Sequence, residues 1–265
     1  MTTPHIDPDI AAQITAYGSR LLGLIPADRI RKIAFERPEP AVIQGFRDLR
    51  DLTSTVADIL DGLGYDTAIP ASTLPPLRAG QRMVGPAVTV RHIPARISSG
   101  YNIASKKPPP QLGGRDQVTV CERGDVMVIE AGSILDASNF GGLMATSVKE
   151  AGLAGLVVDG SVRDVANMRA MNLNVWARGA TPRTGKHRIE LAELNGPVAI
   201  AGIQVRPGDL MLGDCDGVIV VPLEIASTVL QLAQAATERE EKLVQALERG
   251  ATPQETARIL PPEKW

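Results

Sequence analysis

From residue 123 onward the chain alternates between short apolar runs and amphipathic stretches of about ten residues. "RGDVMVIEAG" predicts a strand entered through Gly124 and Asp125, and "GGLMATSVKEAG" predicts a helix stopped by Gly152. "LAGLVVDG" predicts a strand, "VRDVANMRAMN" a helix and "NVWARG" another strand. "VAIAGIQVRPGDLMLGDCDGVIVVP" supplies two or three further strands, and "LEIASTVLQLAQAATEREEKLVQALERG" a long amphipathic helix. Strands alternating with helices of this length predict α/β layers around a largely parallel sheet.

The pattern upstream is looser. Ile10, Ile14, Leu21 and Leu22 are spaced for one helical face, and "IPADRIRKIAFERPEPAV" predicts a second short helix ending before its prolines. "STVADILDGLGY" predicts a helix capped by Asp51, Thr53 or Ser54 and stopped at Gly62 and Gly64. In "MVGPAVTVRHI", Val84, Val88 and Val90 mark one face of a strand. Residues 94–117 read as one long polar loop, in which Arg96, Lys106, Lys107 and Arg115 could contact an anionic substrate or form a basic surface segment. The expected organisation is an N-terminal helical arm (1–45), an α/β domain (46–225) and a C-terminal helical extension (226–265).

Composition narrows the functional classes. The 265 residues carry a formal net charge of −2 without a basic run, so charge gives no basis for binding nucleic acid or an anionic membrane. Aromatic residues make up 3%, too few to supply a base-stacking platform. No apolar run reaches the roughly 18 residues that span a bilayer, and "MTTPHIDPDIAAQ" lacks the basic and apolar regions of a signal peptide. The expected compartment is the cytoplasm. Cys121 and Cys215 read as small buried hydrophobes, since none of His5, His92 and His187 forms a local motif with either.

Candidate chemistry gathers where an apolar run meets charge. In "VVDGSVRD", a strand ending at Val158 leads into Asp159, Arg163 and Asp164. In open α/β sheets ligands collect at the carboxyl ends of strands. Two structural readings stand beside a functional one: Asp164 as a carboxylate favoured by a helix dipole, and Arg163–Asp164 as a solvated pair. Gly141 and Gly142 directly precede a helix whose first residues are Leu143 and Met144. Their N–H groups could bind an anion, or the glycines could serve tight strand–helix packing. Neither GxGxxG nor a P-loop is present. Together the segments suit a small carboxylate with a hard divalent cation.

"GGLMATSVKEAGLAGLVVDGSVRD", "WARGATPRTGKHR" and "PVAIAGIQVRPGDLMLGDCDGVIVVP" resemble, in order and spacing, the RraA-like / 4-hydroxy-4-methyl-2-oxoglutarate aldolase family. The resemblance covers about residues 50–225. It implies a single α/β/α swivelling-type domain, assembled as a homotrimer or homohexamer with active sites between subunits. It also implies a lyase that performs retro-aldol cleavage or decarboxylation of a small 2-oxo acid with Mg2+ or Mn2+. Carried over, Arg163 and Asp164 are catalytic, Arg163 holding the substrate and Asp164 the metal. Gly141, Gly142, Leu143 and Met144 would bind the substrate carboxylate.

The sequence departs from the family pattern at one position. The aldolases carry an acidic residue 21 positions before the arginine, and here that position is Gly142. Asp136, Asp159 or a residue of another subunit are the available substitutes. Three alternatives follow: a metal-dependent hydrolase or hydratase on the same site, a non-catalytic ribonuclease regulator, and a Schiff-base aldolase using Lys149 or Lys186.

Overall fold

The computed structural model describes residues 6–106, 108, 112–132 and 134–261; the first five residues and Lys107 lie outside them. Helix α1 (Pro8–Tyr17) begins where the Asp7 carboxylate accepts the Asp9 N–H at 2.8 Å. The predicted second helix is a single 3₁₀ turn, Ala27–Arg29, because the backbone beyond it is claimed by the sheet. Arg31 N–H donates to the Leu194 carbonyl at 2.9 Å, beside an Ile30–Leu194 bridge. The buried Asp116 carboxylate accepts the N–H groups of Leu22 and Leu24 at 2.7 and 2.6 Å. Ile10, Ile25, Ile30 and Ile33 then enter the same apolar cluster as the strands, so this segment packs on its own chain.

Helices α2 (Pro40–Asp48) and α3 (Leu52–Gly62) follow. The cap of α3 comes from Asp214 rather than Asp51, accepting the Thr53 N–H at 3.0 Å and its hydroxyl at 2.6 Å. After β1 (Ala68–Pro70) and β2 (Met83–Pro94), the stretch predicted as a polar loop folds into α4 (Ser99–Ala104) and α5 (Asp116–Thr119). Ser98 Oγ accepts the Tyr101 N–H at 3.3 Å and caps α4.

The alternating region forms β3 (Val126–Glu130), β4 (Ser138–Phe140), α6 (Gly142–Ala151), β5 (Gly155–Val162), α7 (Val165–Ala170) and β6 (Val175–Ala180). It is followed by β7 (Ile189–Leu194), β8 (Val198–Ile200), β9 (Ile203–Val205), β10 (Leu210–Gly213) and β11 (Gly217–Val221). The chain ends in the long helix α8 (Ala226–Glu248) and in α9 (Pro253–Ile259).

The main sheet runs β1-β11-β10-β2-β3-β5-β4, with β6 beside β5 and β7 beside β2. It is mixed, not largely parallel. Strands β2, β3, β5, β4 and β6 pair in parallel, whereas β7, β10, β11 and β1 pair antiparallel. The length of β2 explains this: Met83–Pro86 pairs with β10, and Ala87–Arg91 pairs with β3.

Three apolar clusters hold the layers. Helices α6 and α7 and the N-terminal segment cover one face of the parallel strands, while α2, α3 and α8 cover the antiparallel part. The opposite faces share a third cluster with the β8–β9 hairpin, centred on Trp176. Trp176 Nε1 donates to the Asp214 carbonyl at 3.1 Å, and its ring lies where a Cβ at Gly213 would approach to 2.9 Å. Glycine lets the two parts of the sheet close on that ring.

Candidate active site

The parallel pairing of β4 with β5 assembles the site. Its register sets Ser138 against Ser161 and Phe140 against Val162, so the residues after both strands emerge together. Those residues are Gly141–Gly142 and Arg163–Asp164. Arg163 N–H donates to the Phe140 carbonyl at 3.0 Å and locks the two exits. Strand β5 does not end at Val158 but continues through Val162, buried throughout. Asp159 therefore lies inside the sheet, and only Arg163 and Asp164 reach its carboxyl end.

Asp164 adopts the left-handed conformation (φ 62°, ψ 35°) at the start of α7. Asp tolerates that region better than most residues, and an observed outlier of this kind is a common mark of a functional turn. The turn aims its carboxylate at the other strand exit. Oδ2 accepts the Gly142 N–H at 2.8 Å and lies 3.5 Å from Arg163 Nε. Both side chains stay partly exposed, at 39% for Arg163 and 48% for Asp164.

The glycines permit this approach. A Cβ on Gly141 would meet Arg163 Nε at 2.9 Å, and one on Gly142 would meet Asn167 Nδ2 at 3.1 Å and Asp164 Oδ2 at 3.2 Å. The Gly142 N–H is thus already occupied by Asp164. Leu143 and Met144 occupy the next helical positions, whose N–H groups have no partner within a helix, and Gly141 offers no side-chain cap. Leu143 is 88% exposed beside them. With Ala180, Thr181 and Pro182 opposite, Arg163 and Asp164 line a cleft of ≈ 380 Å³.

The proposed substitutes for an acid at position 142 have other partners. Asp159 is buried, pairs with Arg178, and accepts the Ala201 N–H at 3.1 Å from the β8–β9 hairpin. Asp136 pairs with Arg183 at 3.2 Å. Lys149 and Lys186 are exposed, so neither is desolvated as a Schiff-base nucleophile requires. Burial holds the Cys121 thiol well above its usual range, with the Asp125 charge adding to the effect. Cys215 is exposed, contrary to the buried expectation, because it sits in the β10–β11 turn.

Asp214, Cys215 and Asp216 bring three ligand-type atoms within 4.8 Å of one another. Asp214 is already consumed there, accepting from Thr53 and from the Asp216 N–H at 3.0 Å.

Sequence reasoning missed the support beneath the site. His92 is buried in β2 and contacts Asn139 Oδ1 through Nδ1 at 3.3 Å. Asn139 precedes Phe140 and Gly141, and the Ser161 hydroxyl donates to the Leu135 carbonyl at 2.8 Å. Desolvation lowers the His92 pKa to about 4 against a smaller opposing effect of Asn139. A histidine at the end of the apolar run of β2 was the available signal.

A mixed sheet with paired strand exits and a cleft lined by an Arg-Asp pair defines an α/β protein with one candidate site at the carboxyl ends of its parallel strands. The chain matches the RraA-like family (Aldolase/RraA) over residues 53–220, and it belongs to that family. A protein of Halalkalibacterium halodurans, provisionally named 4-hydroxy-4-methyl-2-oxoglutarate aldolase, is 35% identical over 195 residues, covering 72% of this chain and 84% of the relative. The 4-hydroxy-4-methyl-2-oxoglutarate aldolase of Thermus thermophilus is 33% identical over 99 residues, covering 37% of this chain and 60% of that protein. Among solved structures, an uncharacterized protein from Pseudomonas syringae matches with a TM-score of 0.70 at 27% identity, covering 84% of this chain and 99% of that one. RraAS2 of Streptomyces coelicolor, described as an unusual member of the RNase ES inhibitor RraA family, matches at 0.65 and 27%, covering 78% and 98%.

Proposed function

We propose that the protein is a divalent-metal-dependent carbon–carbon lyase acting on a small 2-oxo mono- or dicarboxylic acid. It would cleave or decarboxylate that acid to leave the enolate of pyruvate. The observation that carries this reading is the partly exposed Arg163–Asp164 pair at an open cleft, its carboxylate fixed by the Gly142 N–H. The aldolase names of two relatives support it.

The donor set suits a hard cation. Asp164 presents one carboxylate, fixed through Oδ2 and half exposed. Mg2+ is often held by one or two carboxylates while water and substrate complete its shell. Mg2+ or Mn2+ held by Asp164 would supply Lewis-acid polarisation of the 2-oxo group. Arg163 offers a planar guanidinium matched to a carboxylate and sets a fixed positive charge where negative charge develops. The N–H groups of Leu143 and Met144 add donors at a helix start. The backbone bond from Arg163 to Phe140 keeps these groups in register.

Magnesium with oxaloacetate or a 4-hydroxy-2-oxo diacid, assayed for pyruvate, tests the reading. No pyruvate above the metal-only blank across such a panel sinks it. The likeness to the Streptomyces coelicolor RNase ES inhibitor family member motivates a second reading, a ribonuclease-binding regulator, which the retained Asp164 disfavours. A homotrimer or homohexamer, with the exposed Leu143 at a subunit contact, completes the proposal and is checked by sedimentation.

A further inference from the structure

A second, larger cleft of ≈ 670 Å³ opens between the β6–β7 loop, the β3–β4 connection and the start of α4. Arg183, His187 and Arg188 line one wall, Asp136 another, and Ser98 and Ser99 a third. We propose that this cleft is an anion site that takes the far carboxylate or phosphate of an elongated substrate. The distal-group role rests on the lyase reading above, whereas anion binding by the cleft does not.

The charges in the cleft do not balance. Arg183 pairs with Asp136 at 3.2 Å, but both side chains are more than half exposed, so the pair is weak and open to exchange. Arg188 Nη1 donates to the carbonyls of Thr184 and Lys186 at 3.1 and 3.5 Å. Among the described residues no carboxylate pairs with it. His187 Nδ1 is buried without a hydrogen-bond partner. Two guanidiniums thus line the cleft with a single carboxylate.

The loop that carries them is shaped at a cost. His187 sits at φ 67°, in the left-handed region that non-glycine residues adopt uncommonly, His, Asn and Asp more often than the rest. Gly185 has no room for a Cβ, which would approach the Ser138 carbonyl to 2.3 Å. Ser138 N–H in turn donates to the Arg183 carbonyl at 2.9 Å, tying the loop to β4. Strain held in place by neighbours in this way is a property of ligand clamps.

Pro182 lines the Arg163–Asp164 cleft and the next residue, Arg183, the second, while β4 (Ser138–Phe140) links Asp136–Ala137 at the second cleft to Gly141–Gly142 beside Arg163. A ligand anchored at Arg163 by one anionic end has a second cationic wall at the other.

Calorimetric titration of the full chain in EDTA with inorganic phosphate, and separately with glutarate, tests the site. Binding of at least one is expected, weakened about tenfold or more in Arg183→Gln/Arg188→Gln and retained in Arg163→Gln. Tighter phosphate binding points to a phosphate ester, and tighter glutarate binding to a dicarboxylate. Because Arg188 also clasps its own loop, Arg183→Gln alone is measured beside it and must weaken binding in a protein that melts like the wild type. No binding up to about 10 mM of either anion overturns the proposal. So does binding lost in Arg163→Gln but kept in the double variant. Anion binding that behaves as expected, without pyruvate from any substrate, would leave this site standing and remove the lyase.

Discussion

Acidification should weaken the fold through His92, the imidazole beneath the site. It is buried, with Nδ1 on Asn139 and with no partner for Nε2. Protonation would place a donor at Nε2 in an apolar surround, and burial accordingly lowers its pKa to about 4. The folded value lies below the unfolded 6.5, so this stabilisation is complete above pH 6.5 and is lost as pH falls toward 4. Between pH 7.5 and 4.5 the linkage amounts to about 2–3 kcal/mol. Urea unfolding of wild type and His92→Gln at both pH values isolates it from other titrating groups. The stability advantage of the wild type should shrink by roughly that amount at pH 4.5. An advantage that stays constant between the two pH values refutes the account of a neutral, desolvated imidazole.

Asp214→Ala should cost about 1–2 kcal/mol in denaturant unfolding, because it strips α3 of its cap at the Thr53 N–H and hydroxyl. Asp116→Ala should free the N–H groups of Leu22 and Leu24 and make residues 18–24 the first site of limited proteolysis, with the remaining domain intact. Gly142→Asp places an acid at the helix start at the expense of shifts of a few tenths of an ångström in Asn167 and Asp164. It should lower the metal concentration for half-maximal lyase activity several-fold, which a Mg2+ titration reads directly.

Much of this fold could be read from the sequence because its central elements carry strong local signals. Gly152 stops α6 in the left-handed conformation, and the apolar runs of β3 and β5 are buried as expected. The elements that escaped are governed by distant partners. Ile30 and Arg31 leave the helical path because Leu194 binds their backbone, and α3 is capped by a residue 161 positions away. Strand β7 carries a period-two pattern in "IELAEL" that the more regular alternation upstream obscured.

The site follows the same division. Arg163 and Asp164 stood out as charge after an apolar run, but their approach to Gly141–Gly142 depends on the β4–β5 register. Asp159 misled because the strand runs four residues past Val158 and places it on Arg178. The second cleft left a trace in "RTGKHR", a cationic cluster without an acid, whose meaning depends on the walls that Ser98 and Asp136 add.

The central claim is that Arg163 and Asp164 act together on a 2-oxo acid. Pyruvate release from oxaloacetate in Mg2+, compared among wild type, Arg163→Lys and Asp164→Asn, tests it most directly. The account predicts metal-dependent turnover in the wild type. Arg163→Lys should fall by about tenfold or more in kcat/KM, and Asp164→Asn should lose its response to metal. Equal, metal-responsive turnover in all three proteins would contradict it.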